Sequence, residues 1–480
     1  MAIVYNSNKV FLCKSEKIPM NFHRLIGDRA FYRKLFAVMV PILIQNVITN
    51  FVSLLDNVMV GQVGTEPMSG VAIVNQLLFI FNLCVFGGLA GAGIFTAQFF
   101  GKNDPEGIRY TMRIKLMIGA ATVVVFGAVL VLHGETLIGL FLHEGSEALD
   151  LAVTMTSGKE YLAVMLVGLI PFAGSQIYAS TLRECGETVL PMKAGIAAVF
   201  VNLTFNYILI FGKLGAPVLG VVGAAIATVL SRFVEFAVVW LWSLRHRAEH
   251  PYMRGAFRSL HVPGELLRRT FLLGMPLLLN ELFWSGGMTV LNQCYSLRGL
   301  EVVSAMNIAT TVSNLFFCAV FAMGSTISIL VGQLLGAGEL ERAVDEDWKL
   351  IAFTTVVGLL MGLLMAVTAP LIPRVYNTTV NVKLLATSLL LVTAVLTPLH
   401  AFLNGCYFTL RSGGKTIITF IFDSAFVWLM CIPLAFVLSR FTAMPSVPMY
   451  ACVEALNIFK CILGYVLVKN RRWVKNLVDS

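Results

Sequence analysis

The sequence predicts an all-α integral membrane protein: twelve transmembrane helices in two six-helix lobes related by a pseudo-two-fold axis along the membrane normal. Three observations carry this. First, of 480 residues 58% are hydrophobic and only 13% charged, with a mean hydropathy of +0.82. A soluble domain carries about 25% charged residues, so this chain cannot clothe a water-facing surface. The long apolar runs exclude disorder, collagen and coiled coil as well. Second, runs of the ~20 apolar residues needed to cross a bilayer recur twelve times between short polar connections. Third, the first half aligns with the second without a gap.

The apolar windows fall near 35–61, 68–99, 114–133, 149–181, 190–212, 218–243, 270–297, 302–335, 350–373, 383–410, 416–438 and 447–468. Several exceed a minimal span, which implies tilt or extension past the hydrocarbon. Ahead of the first lies a polar, basic segment, 1–33, with Lys9, Lys14, Lys17, Arg24, Arg29 and Arg33. It holds no short apolar core followed by a small-residue cleavage site, so no cleaved signal peptide is expected. Windows one to six form an N-lobe, 34–244. The longest polar connection, 245–269 (RHRAEHPYMRGAFRSLHVPGELLRR), divides the spans six and six. A C-lobe, 270–468, and a polar tail, 469–480, complete the chain.

An even number of spans puts both termini on one side. If that side also holds every even-to-odd connection, and a residue in the first turn of a window is counted with the connection before it, it receives 27 of the 35 Lys and Arg residues; the other face receives 5, and 3 (Lys159, Arg232, Lys460) lie deeper within spans. The positive-inside rule then places both termini in the cytoplasm of a plasma (inner) membrane protein. The net charge of +9 is accounted for by this bias and by anionic headgroups, without nucleic acid. The nine cysteines are scattered, with no CxxC or Cys/His metal spacing, and read as free thiols within the bilayer.

Residues 41–106 laid on 276–341, offset 235, give 14 identities, among them Pro41/Pro276, Asn57/Asn292, Gly64/Gly299, Gln98/Gln333 and Gly101/Gly336. Farther on, LRECGET (182–188) matches LRSGGKT (410–416) at offset 228. Because six spans preserve orientation, the halves are parallel repeats, a plan in which transporters hold substrate between the halves near the midplane.

A charge at the bilayer centre costs about 2.5–3.5 kcal/mol even on the mild insertion scale, so intramembrane polar groups are the candidate functional residues. Window one carries Pro41, then Asn46, Asn50, Asp56 and Asn57; helix geometry puts Asn57 about 20° and Asp56 about 80° from Asn46 in azimuth, giving one broad polar stripe. Asp56 reads either as a proton or small-cation site or as an interfacial residue near the outer end. Asn202 and Asn206 (i, i+4) in window five and Thr228 and Ser231 in window six offer oxygens suited to a hard cation, or else interhelical hydrogen bonds. In the second half Asn280 and Glu281 follow Pro276, Asp423 lies mid-window eleven, and His400 follows Pro398 with Asn404 one turn on. Arg232/Glu235, Lys159/Glu160 and Glu454/Lys460 are read as internal pairs. The 20 methionines and 34 phenylalanines would suit a promiscuous cavity.

These residues resemble the multidrug and toxic compound extrusion (MATE) family over roughly 30–470. The resemblance rests on DNVMVGQVG, AGAGIFTAQFFG, LRECGET, VNLTFNYILIFG and GVVGAAIATVLSR in the first half, and on GMPLLLNE, LNQCYSLRG, VGQLLGAG and LRSGGKT in the second. It implies an ion-coupling role for Asp56, with a possible Na+ site at Asp56, Asn202, Asn206 and Thr228, where DinF-like members place an Asp in the position of Asn206. It also equates Glu281 with a glutamate of NorM-like members. His400 and Asn404 stand where those members carry a further aspartate, so the chain mixes features of both branches.

The expected function is secondary active multidrug efflux. An organic cation or amphiphile would leave by alternating access as H+ or Na+ enters. Asp56, Asn202, Asn206, Thr228 and Glu281 would couple the ion, and Asn46, Asn50, Asn280, His400, Asn404 and Asp423 would line the substrate cavity. No organic cofactor and no enzyme activity are expected; the partners are a drug-like substrate and the bilayer, and the working unit a monomer. The alternative, a lipid-linked oligosaccharide flippase, calls for a cationic cavity, which three intramembrane basic residues scarcely provide.

Overall fold

The computed structural model describes residues 25–141, 151–376 and 378–479, except the side chains at 53, 54, 57 and 58. Lys9, Lys14, Lys17, Arg24 and Cys13 of the N-terminal segment, the first residues of window four and the Asn57 side chain lie outside them. Twelve helices follow: α1 (Arg29–Gly61), α2 (Thr65–Gly101), α3 (Pro105–Gly139), α4 (Leu151–Glu184), α5 (Val189–Phe211), α6 (Gly220–Arg245), α7 (Gly264–Ser296), α8 (Leu300–Gly336), α9 (Leu340–Thr368), α10 (Val380–Ser412), α11 (Thr416–Phe441) and α12 (Ser446–Lys469). Eleven are long and apolar enough to cross a membrane; α7 falls short only in hydropathy, because Asn280, Glu281, Asn292 and three glycines dilute its apolar run.

Local chemistry fixes the helix ends. Asp28 caps α1 by accepting from the Phe31 N–H at 2.7 Å, and Asp104 caps α3 at the Glu106 and Gly107 N–H groups with Pro105 in the first turn. The helices outrun the apolar windows most at α3 and α9, whose opening turns carry Arg109, Arg113, Lys115, Arg342 and Lys349. Lys115, at the edge of its window and counted with the basic connection, is instead fully buried, bonded to Ser180, Thr181 and Glu184 of α4. Lys159 pairs with Glu135 of α3 at 2.7 Å and not with its neighbour Glu160; consecutive helical residues diverge by ~100° and do not face one another.

Within the N-lobe α2, α3 and α4 pack together, α6 lies on α4, α5 on α6, and α1 on α5; in the C-lobe α8, α9 and α10 form the set matching α2, α3 and α4. The lobes touch where α2 meets α7 and α8, and where α1 meets α8. The repeat is visible in the backbone. Gly64 and Gly299, which precede α2 and α8, both take positive φ (+148° and +116°), and so do Gly186 and Gly414 of the two LRxxGxT turns (+84° and +73°). A side chain is strained in that region, which accounts for glycine at both members of each pair.

Two-fold exchange is clearest at the end of the bundle where α2 and α8 finish, the basic end. Gln98 of α2 donates to the Ser412 carbonyl at the end of α10, and Gln333 of α8 donates to the Glu184 carbonyl at the end of α4 (3.2 and 2.9 Å). Each glutamine therefore satisfies an orphan helix-end carbonyl of the opposite lobe. Gly101 lies against the Gln333 carbonyl and Gly336 against the Gln98 carbonyl, so close that neither position has room for a Cβ. The tail that follows α12 reinforces the junction. Gln98 also bonds the Lys475 carbonyl and the Leu477 N–H, Lys102 reaches the Val478 carbonyl and Asp479, and Asn476 donates to Gly336. Trp473 is wholly buried against C-lobe helices and α1, while Leu477 is buried among N-lobe residues such as Phe95 and Phe99.

Candidate functional site

Asp56 sits about one and a half turns from the far end of α1, half-buried, on the wall of a ≈ 330 Å³ cavity inside the N-lobe. The cavity is walled by α2 (Asn75, Phe79, Asn82), α4 (Tyr161, Met165, Phe172), α5 (Asn206) and α6 (Thr228, Arg232). The Asn206 amide nitrogen donates to Asp56 Oδ1 at 2.6 Å and to Asn202 Oδ1 at 3.1 Å, and Asn202 donates in turn to Thr228 Oγ1 at 3.3 Å. The i, i+4 spacing of Asn202 and Asn206 puts both on one face of α5, between α1 and α6. Thus all four N-lobe ion-coupling candidates form one chain across three helices. Asn206 Oδ1 is buried and has no partner among the described residues.

A sodium ion fits this arrangement poorly. Sodium needs oxygens converging on a point, whereas an amide N–H lies between the oxygens of Asp56 and Asn202. That donor already supplies the positive charge density a cation would bring. The cavity also holds Arg232, which the sequence pattern marks only as a structural pair. It reaches Glu235 at 3.3 Å and lies over the Phe172 ring at 4.9 Å, while facing the space shared with Asp56.

The six residues expected to line a substrate cavity are dispersed, and none is among those lining the N-lobe cavity. Asn50 donates to the Asn46 carbonyl and to Cys318 of α8, at the α1–α8 lobe contact. The single stripe expected along α1 is thereby divided: ten residues separate Asn46 from Asp56, a rise of ~15 Å and a turn of ~80° in azimuth, so the two do not share a site. In the C-lobe Asn280 donates to Asp423 Oδ2 (3.2 Å) and Tyr407 (3.3 Å), and its own oxygen accepts from the Ser424 hydroxyl at 2.7 Å. Asp423 lies in a π-helical stretch of α11, Ile421–Ala425, and is ion-paired with Lys460 of α12 at 2.8 Å. The expected Glu454/Lys460 pair is therefore absent; Glu454 instead meets His400 at 3.0 Å and Asn457 at 3.0 Å. Asn404 packs against Gly324 of α8 with its oxygen buried and unpartnered among the described residues. Glu281 makes no hydrogen bond among the described residues; its stem lies against Gly87 of α2, at the lobe interface, in the field of Arg411 and Asp423.

Sequence reasoning missed Asp347 of α9, wholly buried with Thr409 donating to Oδ1 at 2.6 Å and Oδ2 unpartnered among the described residues. A carboxylate in LERAVDEDWKLIAF preceding an apolar window was the available signal, but it reads as part of a charged connection.

A family model described as MatE matches residues 41–208 and 276–437, one match to each repeat. The chain belongs to the MatE family. Relatives cover most of its length. The probable multidrug resistance protein NorM of Thermotoga maritima is 25% identical over 454 residues, covering 93% of this chain and 94% of its own. The probable multidrug resistance protein YoeA of Bacillus subtilis is 23% identical over 93% and 96%. A solved structure of a multidrug resistance MATE family transporter in its outward-facing conformation superposes with a TM-score of 0.82 at 20% identity, covering 94% of this chain and 97% of that one. A mutant of the Vibrio cholerae MATE transporter VcmN gives 0.82 at 19% over 94% and 99%. The MatE fold, a twelve-helix, two-lobe membrane transporter, is thus the fold of this chain.

Proposed function

We propose that this MatE protein is a secondary active multidrug exporter that moves organic cations or amphiphilic compounds out of the cell by alternating access, in exchange for protons. It works as a monomer in the plasma (inner) membrane with both termini cytoplasmic, as the 27-to-5 basic bias suggests. The relatives named multidrug resistance proteins support the substrate class.

The observation that carries proton coupling is the dual capacity of Asn206. Its amide nitrogen faces the Asp56 carboxylate, a charge-assisted hydrogen bond, while its oxygen is buried without a donor. When Asp56 takes a proton, its new O–H needs an acceptor; a half-turn of the Asn206 amide provides one and releases the bond to Asn202. The same side chain thus satisfies both protonation states, and the change is passed through Asn202 to Thr228 on α6. Proton occupancy of a group on α1 is converted into altered packing between α1, α5 and α6. An organic cation entering the cavity would favour the ionised carboxylate and so expel the proton, which is the exchange an antiporter requires.

Proteoliposomes loaded with a fluorescent organic cation test this, with a pH gradient or a Na+ gradient imposed alone. The expected result is transport driven by the pH gradient, none by Na+ alone, and transport at the empty-liposome level for Asp56→Asn incorporated to the same density. Wild-type transport by Asp56→Asn removes that residue from the mechanism; transport driven by Na+ alone overturns proton exchange.

A further inference from the structure

The connection between the lobes is ordered, and its order creates a site outside the transport pathway. Arg113 of α3 donates to the Ala256 and His261 carbonyls, both at 2.7 Å, and Arg109 donates to the Pro251 carbonyl at 2.8 Å. Tyr252, Met253 and Ala256 are buried against Phe99, Ile108 and Leu182 of the N-lobe. Arg254 is turned back onto the Arg247 carbonyl at 3.1 Å, and Gly255 takes a φ of +66° that lets the chain double over beside it.

The result is a cavity of ≈ 530 Å³ lined by Arg109, Arg247, Arg254, Gly255 and Arg258. No carboxylate lines it, and none of the four arginines forms an ion pair within the described residues. The positive-inside bias accounts for arginines in this connection; it does not account for four held around one hollow by an anchored loop. Like charges so placed repel, and a multivalent anion relieves them. Guanidinium groups present planar forks that match phosphate oxygens two at a time.

The position of the cavity suggests the source of the phosphate. The segment joins the end of α6 to the start of α7, and both helix ends bear exposed apolar side chains: Trp240 and Leu241 on α6, Leu267 and Phe271 on α7. Such a combination of basic pocket and apolar flank fits a headgroup with its acyl chains lying along the helices. We infer that this arginine hollow is a phosphate-group site that binds the headgroup of an anionic glycerophospholipid and fastens the inter-lobe connection to the bilayer surface.

The test is lipid binding by the intact purified protein, read by native mass spectrometry and by the shift in melting temperature. The probes are phosphatidylglycerol, phosphatidylcholine and, separately, inorganic phosphate. Wild-type protein should retain and be stabilised by phosphatidylglycerol and not by phosphatidylcholine. The R247Q/R254Q/R258Q variant, which leaves Arg109 holding Pro251, should bind phosphatidylglycerol at least 10-fold more weakly. Its melting temperature in phosphatidylcholine should match wild type; if it does not, Arg258→Gln alone should still give a graded loss. R29Q/R33Q/K34Q removes the same charge from the start of α1 and should bind like wild type. Protection by inorganic phosphate but not by phosphatidylglycerol supports the phosphate chemistry and assigns a soluble source. Equal binding by the R247Q/R254Q/R258Q variant, or equal loss in the α1 variant, overturns the site.

Discussion

The two lobes share a scaffold and differ in what they do with a buried carboxylate. In the N-lobe Asp56 faces an open cavity, and its direct partner is an amide. In the C-lobe Asp423 is locked between the Asn280 amide and the Lys460 ammonium, which also lies over the Phe422 ring at 5.1 Å. The contrast is one of exchangeability. A carboxylate held by neutral dipoles gains or loses a proton without stranding a charge. A carboxylate paired with a buried ammonium cannot be neutralised without leaving that ammonium uncompensated, and breaking such a pair costs about 3–5 kcal/mol. The repeat thus preserves helix ends, glycines and cross-lobe glutamines, while Asp56 and Asp423 differ in whether a proton can be exchanged. The proposed proton coupling therefore draws on Asp56, and the Asp423–Lys460 pair reads as structural.

The most severe way to break this comparison is to remove one half of the C-lobe pair. Asp423→Asn should lower stability by about 3–5 kcal/mol, because Lys460 is then a buried charge without a counter-ion. The D423N/K460M double variant should recover most of that loss and transport at close to the wild-type rate. Thermal unfolding in detergent, with transport measured on the same preparations, reads both. A stable double variant that is dead in transport would move coupling into the C-lobe.

A second test makes the N-lobe less like itself. Asn206→Asp replaces the bridging amide with oxygens, so that Asp56, Asn202, Thr228 and the new carboxylate all present acceptors to one point. Two carboxylates this close cannot both stay ionised without a cation between them. The expected outcome is a site that responds to sodium: transport driven by a Na+ gradient alone, which the proposed proton exchange does not give wild type, and stabilisation by NaCl over choline chloride. Absence of any sodium response would show that position 206 does not select the ion.

Much of this is legible in the sequence, and the exceptions have a common cause. Helix periodicity and length mark the spans, and the matched prolines and glycines mark the repeat, because both are local or fixed-offset signals. The pairing of Lys460 with Asp423, 37 positions away, and of His400 with Glu454, 54 away, follows from how α10, α11 and α12 pack, and no short-range spacing rule encodes it. Lys115 and Asp347 are lost differently. Charges at or just outside the edge of a hydropathy window are counted with the connection, so an ionisable group buried by protein at a helix end is read as part of the loop. Gln98 and Gln333 are visible as a matched pair, but nothing in their spacing tells that each reaches the other lobe.

That last pair supports the finest test, because the tail makes a symmetric junction unequal. Gln333 has one cross-lobe acceptor, the Glu184 carbonyl; Gln98 donates to the Ser412 and Lys475 carbonyls and accepts from the Leu477 N–H. A net hydrogen bond contributes about 1 kcal/mol, and loss of one therefore changes a two-state population by roughly 5-fold. Gln333→Ala should loosen the basic end by that factor, and Gln98→Ala by more, since it also frees the tail that Trp473 and Leu477 pin to the two lobes. Spin labels at N103C and E339C, both exposed at that end on opposite lobes, report the separation: a longer-distance population should grow in the order wild type, Gln333→Ala, Gln98→Ala. Equal growth in the two variants would mean that the repeat alone holds the lobes together and that the tail is a passenger; no growth in either would place the closure in the glycine contacts of Gly101 and Gly336, where Gly101→Ala would force the lobes apart directly.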